Sequence, residues 1–130
     1  MGGRLLVLVC VSALISAVMM AQDAASLRNP TPSSPESIAA GKAIYTRKCA
    51  NCHATSGRGS PGNDLTPPAP TLMGNLLHGS SDGEIFNTIK NGVAPDFNMA
   101  AWGQGEGDNH LSDDDIWNVV NYVKTLRAAQ

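Results

Sequence analysis

Aromatic side chains and basic clusters are both scarce in this sequence. Only two Phe, two Trp and two Tyr occur among 130 residues, so a core built from the chain alone is short of large apolar side chains. The 9 Lys and Arg are outnumbered by 11 Asp and Glu, which gives a net charge of −2, and the basic residues form no run. This composition argues against nucleic acid as a partner, because such binding relies on concentrated positive charge.

Cysteine is also rare, and this rarity weakens two common interpretations of a Cys-x-x-Cys pair. Cys10 lies in an apolar N-terminal run, which leaves Cys49 and Cys52 as one isolated pair. A structural zinc site usually needs four ligands and a second matching pair, and none follows here. A thioredoxin-like redox pair needs a strand before the motif and a parallel sheet around it, whereas the flanking sequence is helical in pattern.

His53 follows the pair directly, and Cys-x-x-Cys-His is the attachment signature of a c-type haem. Cys49 and Cys52 would each add a thiol across a haem vinyl group, and His53 would offer an imidazole nitrogen to the iron. The pattern therefore favours one covalent haem c over a plain disulfide, a zinc site or a redox pair. A buried porphyrin would also supply the large flat apolar surface that the composition lacks.

The first 35 residues of the chain precede the domain that would carry the haem. Residues 1–21 have the features of a secretory signal peptide, with Arg4 before an apolar run of about sixteen residues. That run is shorter than the roughly 20 residues of a spanning helix, so cleavage is favoured over a retained membrane anchor. Removing it takes away only Arg4, and the net charge becomes −3. Residues 22–35, polar with three prolines, predict a flexible leader, and 36–128 predict one small domain.

The first predicted helix leads into the haem thiols. Ser33 or Ser34 can cap it with Pro35 in its first turn. Gly41 is unfavourable inside a helix, so its place on the apolar face indicates that another helix crosses closely there. The stretch 57–70 is rich in Gly and Pro and predicts neither helix nor strand. The face that leads into the thiols comprises Ile38, Gly41, Tyr45, Cys49 and Cys52.

Two further helices are predicted, and no repeats or convincing strands. Ser81 and Glu84 have the spacing of a capping box, which starts a helix of about ten residues that stops at Gly92. The last helix begins at Ser112, and Tyr122 lies where it could meet Gly41 and Tyr45 of the first helix. The predicted buried positions are Ile85, Phe86 and Ile89 in the middle helix, and Ile116, Val119, Val120, Val123 and Leu126 in the last.

Over roughly residues 36–127 the chain resembles small bacterial class I cytochromes c. The matching pieces are 41–45 leading to the 49–53 motif, 91–95 leading to Met99, and 111–114 followed by Tyr122. The resemblance implies an all-α cytochrome c fold, with three to five helices around one covalent haem and crossed N- and C-terminal helices. It also implies that His53 is the proximal ligand and Met99 the distal one. A proline carbonyl, from Pro67 or Pro68, would accept a hydrogen bond from the proximal imidazole.

Met99 also suits the distal position on chemical grounds. A thioether prefers ferrous over ferric iron and so raises the reduction potential relative to a second imidazole. Met73 lies in a short apolar turn and fits a core-filling role better. The family usually has proline after this Met, where this chain has Ala100, and that departure predicts a looser loop. His78 and His110 are expected at the surface, while Trp102 or Arg58 either contacts a haem propionate or serves as plain packing or surface charge.

These features predict an electron carrier rather than an enzyme. The haem iron would cycle between ferrous and ferric states, shuttling single electrons between periplasmic or membrane redox partners. Two alternatives remain: an electron-transfer subunit of a larger dehydrogenase or reductase, and a peroxidase-like or gas-binding protein with a labile distal Met. We expect an exported, periplasmic monomer whose partners are redox proteins, with transient contact to membrane respiratory complexes as one route.

Overall fold

The computed structural model describes residues 23–59, 72, 80–93 and 99–128, which form an all-α domain. The helices are α1 (Pro35–Lys48), α2 (Ala50–His53), α3 (Asp82–Asn91) and α4 (Asp113–Ala128), with a short 3₁₀ helix at Gly107–Asn109 before α4. Within these ranges the single β feature is an isolated antiparallel bridge between Val93 and Met99. The predicted fold class is confirmed.

The helix starts follow the predicted capping chemistry. The Ser34 hydroxyl accepts a hydrogen bond from the Ser37 amide at 3.2 Å, with Pro35 in the first turn of α1. The capping box of α3 is complete, since the Glu84 amide donates to Ser81 Oγ at 3.2 Å and the Ser81 amide donates to Glu84 Oε2 at 2.6 Å. Ser112 Oγ accepts from the Asp115 amide at 3.1 Å and so caps α4.

The first and last helices pack directly against each other at Gly41, as its place on the apolar face predicts. A Cβ atom at this position would collide with the Asn118 carbonyl oxygen and lie 3.0 Å from Tyr122 Cβ. The rings of Tyr45 and Tyr122 meet edge to face, with centroids 5.2 Å apart. Glycine therefore lets the two backbones approach closely, and the tyrosine pair lies beside that contact.

The hydrophobic core fills the space between α1, α3 and α4. Phe86 of α3 stacks on Trp117 of α4, with ring centroids 4.0 Å apart, although Trp117 was not among the predicted buried positions. Two ion pairs, Lys90 with Asp113 and Lys124 with Asp82, also join α3 to α4. The buried apolar residues are Ile44, Tyr45, Ile85, Phe86, Ile89, Leu111, Ile116, Trp117, Val119, Val120, Tyr122 and Val123.

The segment over 23–34 differs from the flexible leader that its composition predicts. Residues 23–26 form a helical turn beside α3, where a Cβ at Gly83 would collide with the Ala24 carbonyl oxygen. Further along, Asn29 Nδ2 donates to Oδ1 of Asn121 at 2.8 Å. Asn121, only 2% exposed, donates in turn to the carbonyl oxygens of Thr31 and Pro32. The segment is placed against the domain because a buried amide on α4 needs these partners.

No helix in the described ranges combines the length and apolar character needed to cross a bilayer. The signal peptide predicted over 1–21 lies outside the described residues, as does most of the stretch 57–70.

Candidate functional site

The Cys-x-x-Cys-His motif occupies a break between two helices. Cys49 ends α1 and caps α2, and its carbonyl oxygen accepts hydrogen bonds from the amides of Cys52 and His53 at 3.1 and 2.9 Å. This single turn keeps both sulfurs and the imidazole on adjacent positions of one short helix. All three side chains are half-buried.

The chain leaves this turn through a strained residue. Ala54 has φ 58° and ψ 164°, a region that L residues rarely adopt. Its carbonyl oxygen accepts from the Tyr45 hydroxyl at 2.8 Å and from the Gly57 amide at 3.1 Å, while the Gly59 amide donates to the His53 carbonyl at 2.9 Å. These bonds fix the direction of the backbone after His53 and compensate for the strain.

The surroundings of Cys49 offer little support for the redox and zinc interpretations of the pair. Burial, and to a lesser extent neighbouring Cys52, raises the pKa of the Cys49 thiol to about 11, so little of it is the thiolate that disulfide exchange needs. In the described part of the chain no three His, Cys, Asp or Glu side chains converge as metal ligands, and no sheet surrounds the motif. Cys49 also borders the apolar core, a location that suits a sulfur attached to the edge of an apolar porphyrin.

Met99 lies in a segment that is tightly bonded to the end of α3. Its carbonyl oxygen accepts from the Val93 amide at 3.0 Å, and its amide donates to the Val93 carbonyl at 3.2 Å. The side chain is partly buried and packs against the same hydrophobic core as Cys49. The structure thus brings the predicted distal ligand and the haem-attachment turn to one core.

Trp102 connects three elements near this site. Its amide donates to the Ile89 carbonyl at 3.1 Å, and its carbonyl accepts from the Leu111 amide at 2.8 Å. The Lys48 ammonium, adjacent to the motif, lies 5.8 Å from the centroid of the Trp102 ring and donates to the Asp108 carbonyl. The sequence gives no sign of this contact, because the partners of Lys48 are about sixty residues away in the chain. The half-buried indole packs on the core, and its contact with a haem propionate stays a prediction.

The remaining candidates are exposed or outside the described residues. Arg58 and His110 are both exposed, as expected for surface positions. Pro67, Pro68, Met73 and His78 fall in ranges that the structure does not describe, so the proposed proline carbonyl and the rival methionine stay untested.

The donor set and its surroundings fit a haem c. Two thiols and an imidazole share one helical turn, and a thioether lies on a separate segment against the same core. The half-buried side chains bordering that core are apolar and include Leu72, Met99 and Trp102, as a large flat macrocycle requires.

Comparison with known proteins agrees with this chemistry. The profile of the cytochrome c family matches residues 38–127. Cytochrome c6 of Gracilaria tenuistipitata var. liui is 36% identical over 87 residues, which cover 65% of this chain and 68% of that protein.

Subunits of oxidases are also similar. The cbb3-type cytochrome c oxidase subunit CcoP of Azospirillum brasilense is 34% identical over 66% of this chain, and that of Rubrivivax gelatinosus is 32% identical over 73%. The chain spans just over a quarter of the length of these subunits, 27% and 28% respectively. Because the family profile spans residues 38–127, the chain belongs to the cytochrome c family and carries covalent haem c, with Cys49 and Cys52 in the spacing of its attachment motif.

Proposed function

We propose that this protein is a periplasmic single-electron carrier with His53 and Met99 as the axial ligands of its haem. The bound haem supplies the redox chemistry by alternating between ferrous and ferric iron. The chain itself attaches the haem through Cys49 and Cys52 and offers a nitrogen ligand and a sulfur ligand from separate segments. The observation that carries the proposal is the placement of Met99, half-buried against the same core as Cys49.

A sulfur ligand that stays bound to the iron distinguishes an electron carrier from a haem enzyme. If His53 and Met99 both hold the iron, they would leave no open position for a substrate, peroxide or gas, and the haem would supply electron transfer alone. His110, the only described histidine beyond the motif, is exposed, so it offers no buried acid or base for a peroxidase-like reaction.

The test is the spectrum of the purified protein and of two methionine variants. We expect the ferric protein to show the weak red charge-transfer band of iron bound to thioether sulfur. Met99→Ala should abolish this band and allow carbon monoxide to bind the reduced protein. Met73→Ala is the matched control, because Met73 is the rival methionine, and it should keep the band. A high-spin wild-type spectrum, or loss of the band only in Met73→Ala, would overturn the assignment.

An electron-transfer subunit of a respiratory complex is the second candidate, because several relatives are named as oxidase subunits. In that case the protein would copurify with membrane components after mild detergent extraction. A free carrier would instead be recovered as a monomer from the periplasmic fraction, with residues 1–21 removed.

A further inference from the structure

The segment that carries Met99, residues 99–103, is bonded to the C-terminal end of α3. The last carbonyl groups of a helix accept no hydrogen bond from within the helix and need donors from outside it. Here the Ile89 carbonyl accepts from the Trp102 amide at 3.1 Å, and the Lys90 carbonyl accepts from the Gly103 amide at 3.0 Å. The segment therefore supplies donors for two of the free carbonyl groups at the end of α3, and these bonds hold the segment against α3.

The bridge with Val93 fixes Met99 itself. Both the amide and the carbonyl of Met99 bond to Val93, at 3.2 and 3.0 Å, so neither backbone group is left to rotate. Together with the bonds at Trp102 and Gly103, this bridge secures the backbone on both sides of Ala100, the position where the family usually has proline. Hydrogen bonding to α3 can thus replace the stiffness that a proline would give.

Gly92 is the residue that makes this arrangement possible. It ends α3 with φ +68°, which favours glycine, and its amide donates to the Thr88 carbonyl. A Cβ atom there would collide with the Met99 carbonyl oxygen and lie 2.8 Å from both the Ala100 carbonyl carbon and the Ala101 nitrogen. All of these obstacles are backbone atoms, so no side-chain rotation can relieve them, and any larger residue must displace the segment 99–103.

We propose that Gly92 is a positioning residue for the distal ligand: it lets α3 hold the Met99 backbone in place whether or not the sulfur is bound to iron. This inference rests on Met99 being the axial ligand, as proposed above. Preformed placement lowers the cost of binding the sulfur and keeps the sixth coordination position closed to small external ligands.

The test compares two glycine substitutions in the haem-containing protein. Gly92 and Gly107 both have positive φ, +68° and +55°, but nothing lies within 4 Å of a Cβ at Gly107. Both Ala variants therefore incur backbone strain, and only Gly92→Ala also displaces Met99. In Gly92→Ala we expect loss of most of the red thioether band and carbon monoxide affinity of the reduced protein raised by about tenfold or more. Gly107→Ala should keep the wild-type band and the wild-type carbon monoxide affinity, even if its melting temperature falls.

The possible outcomes separate this inference from the proposed function. Absence of the band in wild-type protein overturns both, whereas a band that persists unchanged in Gly92→Ala overturns the positioning role alone. Loss of the band in both glycine variants to the same extent would also overturn it, since strain alone would then explain the effect.

Amide hydrogen exchange keeps the inference testable if Gly92→Ala does not fold. In Met99→Ala the proposed sulfur ligand is absent, yet the amides of residues 99, 102 and 103 should keep their wild-type protection, because their partners are on α3 and Val93. Loss of that protection in Met99→Ala would show that the iron bond positions the segment, and would overturn the proposal.

Discussion

Tyr45 is the residue that joins the helix packing to the haem-attachment turn. It is only 1% exposed, its ring contacts Tyr122, and its hydroxyl donates to the carbonyl of strained Ala54. A residue in the conformation of Ala54 costs about 1–3 kcal/mol and persists only where its surroundings secure it. The Tyr45 hydrogen bond is one of the contacts that do so, directly after His53.

We expect Tyr45→Phe to reduce stability and to change its dependence on pH. At neutral pH the lost hydrogen bond should lower the free energy of unfolding by about 1 kcal/mol, since the Gly57 amide still bonds to the Ala54 carbonyl. Burial raises the pKa of Tyr45 far above its usual value, so the hydroxyl stays neutral in the folded protein when it would already ionise in the unfolded chain.

The sign of the pH effect follows from this difference. The contribution of Tyr45 to stability is complete below about pH 10 and declines above it, by up to about 1.4 kcal/mol per pH unit, as the unfolded state releases its proton. Denaturant titrations followed by circular dichroism at neutral and alkaline pH should therefore show a shallower alkaline decline for Tyr45→Phe than for wild type. Equal declines would contradict the prediction.

At the scale of elements, the contact between α1 and α4 depends on the missing side chain of Gly41. Helix propensity alone would make Gly→Ala favourable by about 1 kcal/mol at an interior position. At Gly41, however, the new methyl group would collide with the backbone of Asn118, and α4 cannot move without disturbing the core around Val119 and Val120.

We therefore expect Gly41→Ala to lower the free energy of unfolding by about 2 kcal/mol or more, despite the gain in propensity. Gly83→Ala in α3 is the matched control, because the atoms nearest to its methyl group belong to Ala24 and Leu27, in the segment 24–27. That segment can shift without opening the core, so the change at Gly83 should stay within about 1 kcal/mol. Chemical denaturation of both variants measures these changes. Equal losses of unfolding free energy in the two variants would contradict the tight contact at Gly41.

Local signals in the sequence predict the elements of this fold well, and long-range contacts much less so. The caps at Ser34, Ser81 and Ser112 depend on residues three positions away, so the helix starts are visible in the sequence and are confirmed. Asn121, in contrast, forms a hydrogen bond with Asn29, 92 positions away, and no periodicity in the sequence predicts that pairing. The docking of 23–34 was missed for this reason.

The candidate site divides in the same way. The motif at Cys49, Cys52 and His53 is contiguous and can be recognised directly, and Met99 follows from family resemblance together with ligand chemistry. The bonds that position Met99 were not predictable, because they use backbone groups of Val93 and of the end of α3 and involve no distinctive side chain. The role of Lys48 beside Trp102 depends likewise on the folded arrangement.

At the scale of the whole molecule, the helices and the haem turn contribute unequally to the core. α1, α3 and α4 supply nearly all of the buried apolar side chains, whereas none of the residues of α2 is buried. The exposed ion pairs between α3 and α4 add little, since such pairs contribute about 0–1 kcal/mol each. With six aromatic residues in the entire chain, we expect the haem to supply a large part of the apolar contact of the core.

Removal of the haem should therefore destabilise the molecule as a whole. We expect the double variant Cys49→Ser/Cys52→Ser, which cannot attach haem covalently, to lose more than about 3 kcal/mol of unfolding free energy, because a ligand specific for the native state contributes on that scale. Each single variant keeps one thioether bond and should lie between the double variant and wild type. Thermal denaturation followed by circular dichroism gives the order of stability among these proteins. The haem content of each sample is measured as the control. A double variant that unfolds at the wild-type midpoint would mean that the three long helices stabilise the fold by themselves, and that the scarcity of aromatic residues has no bearing on the need for haem.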